Sequence, residues 1–516
     1  MSCSQQNSSH LSRTDILISL LVGSAALALY IRTLAPSLLW GDSAEFQTLS
    51  YTLGMTHPSG YMTQIMFGKL FTYIPVGNIA YRVNLMSAFF GALAVAETYW
   101  IVRLLGGWRG AAVSASILLA LTEGFWWRAL LAESYAPAAG MLATVWLLVL
   151  LWRNTGKWFF LFLAGLAGGL SLGIHSTVVM TALSVLVFMA LTARRREEWI
   201  AAGAGALLGA LLTFAFFFYL DHNNPPSSIY NTVYLTNLSA FGLSADEFDT
   251  PLKRFFAIFP ANHFWSYYFT ASPGEIGRRL IEYLSYFPLW GIPLVILGAL
   301  ALLRERWAEG LYPLLAFLVI WGFAVTVSFS VYREFYVPVT VITSVWFGVG
   351  ATKLLSLLKG LPVQSQTQRS SLQALFMILL VALPVWNARA DLIPAIKNGY
   401  PPFVRRDHIY PVFAPDKAIN DAHKILARVE ENAIVFAPWD KLYSYVYTAH
   451  IEDGRTGISF HEAWSTEEER LADSTIAYIE QNLDIRPIYF TIHLPELTDR
   501  YQLEKIDDTL YRIYRK

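Results

Sequence analysis

The 516-residue chain has a single cysteine, Cys3, so no intramolecular disulfide can form and a thiolate metal cluster is excluded. Charge is scarce too: Asp, Glu, Lys and Arg make up 15% of the residues, where ordinary soluble domains carry about 25%. The 38 basic and 38 acidic residues cancel, so no general attraction to nucleic acid is implied. No internal repeat and no low-complexity tract is found. The chain is apolar instead, with 55% hydrophobic residues and a mean hydropathy of +0.42. These residues come in blocks, such as 16–31, 138–152 and 311–329, that approach the roughly 20 residues needed to cross a bilayer core. A large soluble enzyme would break such runs with polar faces, because its helices bury one side only.

Apolar length suggests about eleven spanning helices, at roughly 14–32, 83–104, 111–127, 135–152, 157–174, 176–192, 199–219, 284–303, 310–330, 336–357 and 370–387. The pair at 157–192 is punctuated only by Gly173-Ile174-His175-Ser176. Residues 1–15 are polar and Ser-rich, and the apolar run after them lacks a small-residue cleavage site, so it reads as a retained signal anchor. Arg103, Arg109, Arg153, Lys157, Arg194–Arg196, Arg304, Arg306, Lys353, Lys359 and Arg369 fall in connections on one side. The short connections opposite offer little beyond Arg128 and Arg333. Lys and Arg mark the cytoplasmic side, so the N-terminus is expected inside and, with an odd helix count, the C-terminus outside. A bacterial plasma membrane is favoured, and an endoplasmic reticulum also satisfies this topology.

The expected fold class is mainly α: a polytopic transmembrane helical bundle over 1–390 with a small extracytoplasmic soluble α/β domain over 391–516. The bundle carries a first outer loop at 33–82 and a large, aromatic-rich outer loop at 220–283. In the C-terminal domain, 416–431 and 466–482 read as helices, and 433–437, 488–492 and 509–514 as strands.

Chemistry concentrates in the first outer loop, in Leu39-Trp40-Gly41-Asp42-Ser43-Ala44-Glu45-Phe46 and then Gly54-Met55-Thr56-His57-Pro58-Ser59-Gly60-Tyr61. Asp42 and Glu45 are three apart and share a helix face. The helix is expected to start at Asp42, stop before Gly54 and lie along the outer interface with Leu49 and Leu53 toward the membrane. Arg128, Glu133 and Tyr135, His175, and Tyr332, Arg333 and Glu334 fall at the same outer level. Ionisable groups near a membrane are costly, which makes each a site candidate. Each also has a plain structural reading. Asp42 and Glu45 would form a capping box, Arg128–Glu133 and Arg333–Glu334 interfacial ion pairs, His175 a hydrogen-bonded helix end, and the aromatic residues an interfacial belt.

Several of these motifs are familiar in combination. Leu-Leu-Trp-Gly-Asp-Ser-Ala-Glu-Phe (38–46), His-Pro-Ser-Gly-Tyr (57–61), Tyr-Arg-Val-Asn-Leu-Met-Ser-Ala (81–88), Ala-Glu-Ser-Tyr-Ala (132–136) and Gly-Leu-Ser-Leu-Gly-Ile-His (169–175) resemble a family long catalogued only as a domain of unknown function. That family is similar to protein O-mannosyltransferases and looks like a GT-C-type membrane glycosyltransferase. The resemblance is dense over about 14–192 and looser afterwards. It implies transfer of a sugar, mannose by analogy, from a polyprenyl-phosphate carrier on the outer or lumenal face. It also implies an acidic base in the first outer loop, which here is Asp42 or Glu45, with Asp42 preferred. The usual second motif ends in Gly-Tyr-Pro, whereas Tyr61 is followed by Met62, which puts the local turn in question.

Inverting transfer needs a carboxylate to accept the proton of the attacking hydroxyl and a cation to stabilise the departing phosphate. Arg333 suits the second role, since a guanidinium grips phosphate in bidentate fashion. His57 could bind phosphate or a sugar hydroxyl, and Trp40 could stack on a sugar face. Glu133, Tyr135 and His175 could line the sugar pocket, with Tyr61, Arg128 and Tyr332 as further substrate contacts. No cofactor is firmly implied beyond the lipid-linked sugar. No compact motif such as His-Glu-x-x-His is present, and a divalent metal is disfavoured because the resemblance implies metal-independent transfer. The partners implied are membrane lipid, the donor, and a protein or glycan acceptor. Trp439, Tyr443, Tyr445, His461 and Trp464 could serve the acceptor or simply the core. The alternative is a transporter or flippase of a lipid-linked sugar, which would show repeated halves and midplane charges.

Overall fold

The computed structural model describes residues 12–328, 331–359, 366–403, 414–463 and 470–516; Cys3 and Trp464 lie outside them. The chain forms two compact units. The first is built from Met1–Leu34, Ser87–Thr213 and Ser266–Asp407, and the second from Ala35–Met86, Phe214–Trp265 and His408–Lys516.

The first unit is helical. Long apolar helices include Arg13–Thr33, Tyr135–Thr155, Trp307–Thr326 and Tyr336–Lys359. Seven of the described helices are long and apolar enough to cross a membrane, and Arg109–Leu121, Phe159–Gly173 and Ser176–Thr192 are shorter apolar segments. Ile16, Leu17, Leu20, Leu21, Leu207, Leu211, Leu375 and Ile378 are exposed on these helices, which suits a hydrocarbon solvent and would be a liability in water. The protein is an integral, multi-pass membrane protein. Three expected spans are divided. The helix at 111–127 breaks at the extended Thr122. The segment at 176–192 breaks at Thr181. The helix expected from 284 begins instead at Ile292, because Pro288 and Pro293 lack the N–H that a continuous helix needs. The amphipathic helix Pro273–Ser285 precedes it, closed by a Ser272–Glu275 capping box with proline at its first turn.

Polar groups lock the ends of these helices. Asp15 is buried, and its carboxylate accepts from Tyr99 Oη (2.8 Å), Arg103 Nε (3.0 Å) and Arg109 Nε (3.0 Å). Between helices, small residues do the work that side chains do in soluble cores. On the helix Phe159–Leu170, a Cβ at Gly165 or Gly169 would stand 2.2 Å and 2.5 Å from the Ala202 and Ala206 carbonyl oxygens. Gly205 and Gly209 on the opposing helix meet Phe162 O and Leu166 O in the same way, at 2.0 Å and 2.4 Å. The two backbones touch through a reciprocal Gly-xxx-Gly pair.

The second unit gathers three chain segments around a five-stranded sheet, with strands β1 (Ile434–Ala437), β2 (Ser459–Glu462), β3 (Ile488–Phe490), β4 (Gln502–Asp507) and β5 (Leu510–Tyr514). The order is β2-β1-β3-β5-β4, with β1 parallel to both its neighbours and β5 antiparallel to β3 and β4. One face buries Phe436, Ile488, Phe490, Leu471 and Ile479. The helix Trp439–Tyr447 joins β1 to β2 and packs against the helix Gly41–Thr52 from the first outer loop. The expected strands at 433–437, 488–492 and 509–514 correspond to β1, β3 and β5. The helix expected over 416–431 is present as Lys417–Leu426, and of 466–482 the described part is Asp473–Asn482.

A leucine at Gly209 should separate the two glycine-packed helices. We expect Gly209→Leu to lower the melting temperature in detergent, at a cost of about 1–3 kcal/mol from overpacking, while Gly203→Leu, which faces open space, leaves it near wild type. Equal melting of the two variants would contradict this packing.

Candidate functional site

The helix Gly41–Thr52 begins after Trp40, and Gly41 adopts φ +57°, a conformation that suits glycine. It ends where Leu53 turns left-handed at φ 58° and donates to Leu49 O. The sequence reading found this helix and its stop. The capping box expected of Asp42 and Glu45 is not formed, however: Trp40 holds the N-cap position, and Glu45 turns inward. Leu49 is likewise fully buried rather than facing the membrane, because the helix packs against Met62–Thr72 and Trp439–Tyr447.

Glu45 turns inward because better donors wait there. Its Oε1 accepts the His57 backbone N–H at 2.7 Å, and its Oε2 lies 2.5 Å from His57 Nδ1. One carboxylate thus fixes both the chain and the ring of the second motif. The turn that follows survives the replacement of proline by Met62. Tyr61 adopts φ +41° and Met62 opens the next helix, a position at which proline is tolerated but not required. The His57 ring is framed by Tyr61 (4.9 Å between centroids), Trp439 (5.8 Å) and Phe46 (6.0 Å). His57 Nε2 makes no hydrogen bond among the described residues.

Asp42, one turn earlier, is exposed, and its Oδ1 accepts from Trp439 Nε1 at 2.9 Å. Trp439 stands edge-on to Tyr443 at 5.6 Å, and the Tyr443 hydroxyl lies 3.0 Å from Thr232 Oγ1. Lys441 Nζ sits 4.5 Å above the Trp40 ring. The structure therefore brings Trp40, Asp42, Glu45, His57 and Tyr61 together and adds Trp439, which the sequence marked only as a suggestive aromatic. It also adds Glu462, which the sequence reading missed. Glu462 ends β2, is 5% exposed, and lies within electrostatic reach of Glu45. No local pattern could have found it, since its neighbour Glu45 stands more than four hundred positions earlier in the chain.

Burial pushes the Glu45 carboxyl above the usual range, and the charged His57 beside it only partly offsets this. Burial acts against charge on His57 too, but the Glu45 carboxylate prevails and lifts the imidazole to about 9. The Glu45 carboxylate and the His57 imidazole therefore hold a proton between them at neutral pH. Burial, with the Glu45 charge adding to it, pushes Glu462 up to about 8, so Glu462 is largely neutral at pH 7. Among the described residues no group of three or more His, Cys, Asp or Glu side chains is arranged to hold a metal ion.

The remaining candidates lie in the first unit. Arg128 pairs with Glu133 at 2.5 Å and also with Glu334, and its guanidinium lies 5.7 Å from the Tyr135 ring centroid. Tyr135 meets His175 at 5.0 Å, and both contact Phe335. His175 caps Ser176–Met180 by accepting from Thr177 N at 3.2 Å. The expected Arg333–Glu334 pair is exchanged: Glu334 goes to Arg128, and Arg333 pairs with Glu282, whose other oxygen accepts from Tyr332 Oη at 2.6 Å.

Comparison with known proteins bears on the same residues. Residues 42–200 match the family described as Protein O-mannosyl-transferase TMEM260 N-terminal domain. Protein O-mannosyl-transferase TMEM260 of Mus musculus is 33% identical over 119 residues, which are 23% of this chain and 17% of the mouse protein. The Dictyostelium discoideum protein of the same name is 28% identical over 97 residues, 18% of this chain and 12% of that protein. The matched stretch is thus less than a fifth of either relative's length. The crystal structure of ArnT from Cupriavidus metallidurans bound to undecaprenyl phosphate superposes with a TM-score of 0.56 at 12% identity, covering 97% of this chain and 98% of ArnT. The fold is the GT-C type that the motifs implied, and residues 42–200 are similar to the N-terminal domain of the TMEM260 O-mannosyl-transferases.

The His57–Glu45 pair makes stability depend on pH. His57 is raised above its free value of 6.5, so the contribution of its charged form is complete below about pH 6.5 and is lost as pH rises through about 9. The melting temperature in detergent should fall over that window in the wild type and fall less steeply in Glu45→Gln, where burial alone acts on His57 and lowers it. An unchanged slope in the variant would contradict the pairing.

Proposed function

We propose that the chain is an inverting glycosyltransferase that moves a sugar, with mannose favoured, from a polyprenyl-phosphate carrier to an acceptor hydroxyl on the outer or lumenal face of its membrane. The observation that carries this reading is the division of labour between the two carboxylates of the acidic helix. Glu45 is consumed by His57, whereas Asp42 is exposed and held at a fixed angle by one indole N–H. A base needs an accessible lone pair and a rigid seat, and Asp42 has both.

In the step proposed, the acceptor oxygen attacks the anomeric carbon and gives its proton to Asp42. The bond from that carbon to the phosphate oxygen breaks, and its electron pair leaves with the polyprenyl phosphate. The sugar inverts. Glu45 acts through His57, whose Nε2 is available to a phosphate oxygen or a sugar hydroxyl. Trp40 and Tyr61 flank the sugar. For the first unit, we assign Arg333 and Tyr332 to the donor phosphate, and Arg128, Glu133, Tyr135 and His175 to further substrate contacts. The assignment to a lipid-phosphate donor is supported by the fold shared with ArnT, which binds undecaprenyl phosphate. A protein hydroxyl as acceptor is supported by the names of the mouse and Dictyostelium relatives. The Lys and Arg distribution supports a cytoplasmic N-terminus and an extracytoplasmic domain from residue 391 onward.

Asp42→Asn should lower turnover of a polyprenyl-phosphate mannose by about 100- to 10,000-fold with folding and donor binding intact, whereas Arg333→Ala should weaken donor binding itself. If Asp42→Asn keeps wild-type turnover while Glu45→Gln loses it, the base is Glu45 and the roles above exchange.

A further inference from the structure

Glu462 is a buried carboxyl that the transferase reading does not use. It closes β2 in register with Ala437 of β1, and its backbone is clamped from two sides. Its carbonyl oxygen accepts from Asn237 Nδ2 at 3.1 Å, and the next residue, Ala463, donates to Ala437 O at 2.8 Å. Alternation along the strand fixes which way it faces. His461 packs against the rings of Phe436 and Tyr478 on the face that carries Asp473–Asn482. Phe460, on the opposite face, meets His450 in the turn Thr448–Glu452 that continues the Trp439–Tyr447 helix, and that helix packs against β2, so Glu462 shares its face.

That face is where the acidic cluster lies. Glu45 raises the proton affinity of Glu462, and the buried Tyr234 and Tyr443 hydroxyls feel both carboxyls. The side chain is 5% exposed, yet among the described residues no hydrogen bond or ion pair reaches its carboxyl. Burying a polar group without a partner costs a few kcal/mol, so a carboxyl in this state is a seat for something that arrives. The strand end adds to the argument. In sheets with parallel strands, ligands collect at the carboxyl ends where connections diverge to either side of a strand. Here β1 sends its connection to β2, the chain then returns to pair β3 on the other flank, and the carboxyl ends of β1 and β2 carry Trp439 and Glu462.

We propose that Glu462 is a hydroxyl-binding residue of the same site, carried into it by the C-terminal sheet, which positions either a hydroxyl of the donor sugar or the hydroxyl of the acceptor. This rests on the transferase reading. Glu462 is a positioning residue, acting as a neutral donor and acceptor of hydrogen bonds beside the Glu45–His57 pair. The C-terminal domain then contributes directly to substrate recognition.

The test measures affinity of the full chain in detergent for two probes: citronellyl-phosphate mannose, as a short donor, and a peptide containing Ser and Thr. Glu462→Gln, which keeps a neutral group of the same length, should bind both probes within about 3-fold of wild type. Glu462→Leu should bind one of them about 10-fold more weakly, with a melting temperature no lower than wild type. Weakened donor binding identifies a sugar hydroxyl, and weakened peptide binding identifies the acceptor hydroxyl. If Glu462→Leu fails to fold, Glu462→Ala is read by the same criteria. Unchanged affinities in the apolar variant, or an equal loss in Glu462→Gln, would overturn the proposal. Failure of the wild type to bind either probe would instead overturn the transferase reading.

Discussion

The second unit is organised around one buried charge. Glu45 has no exposed surface, and an isolated carboxylate in that position would be expensive. It is tolerated because His57 meets it twice, through its backbone N–H and its ring. Truncating either partner leaves the other buried and alone, which is why such pairs are destabilising to break even where they add little to net stability. The consequence reaches beyond energy. Fixing Glu45 on His57 ties the acidic helix to the second motif, aims His57 Nε2 away from the pair, and leaves Asp42 as the carboxylate that remains available. The order of the motif residues therefore encodes a structural anchor and a chemical group on a single helical turn.

The acidic helix, its stop near Gly54, the break at His175 and the starts of the C-terminal strands were legible because each depends on residues a few positions apart. Gly and Pro punctuation and apolar length report such features directly. The capping box was misread for an instructive reason. Asp and Glu three apart at a helix start satisfy the local rule, but the stronger donors for Glu45 come from a turn twelve residues on. Trp439 and Glu462 defeat local reading altogether, since the Trp439–Asp42 bond closes a gap of 397 residues. β2 is four residues long, too short for an alternation to stand out, and β4 is mostly polar, so neither announces itself.

Among the membrane helices the legibility ran the other way. Apolar length located the helices, but composition does not report where a helix bends or stops within an apolar run. Thr122, Thr181 and the Pro288–Pro293 stretch break segments that hydropathy joins. The contacts between Phe159–Leu170 and its neighbour are made by glycine backbones, not by large side chains, and a hydropathy count treats those glycines as neutral. Their role appears only when the opposing carbonyl oxygens are seen within 2.6 Å of where a Cβ would stand.

The most direct test of this account is a structure of the purified protein, by cryo-electron microscopy, with a polyprenyl-phosphate mannose bound. The account predicts the sugar against Asp42, His57 and Trp439, with its anomeric carbon open to a hydroxyl that Asp42 can deprotonate. Sugar density away from Asp42, with that carboxylate still bound only by Trp439 and facing solvent, would contradict it.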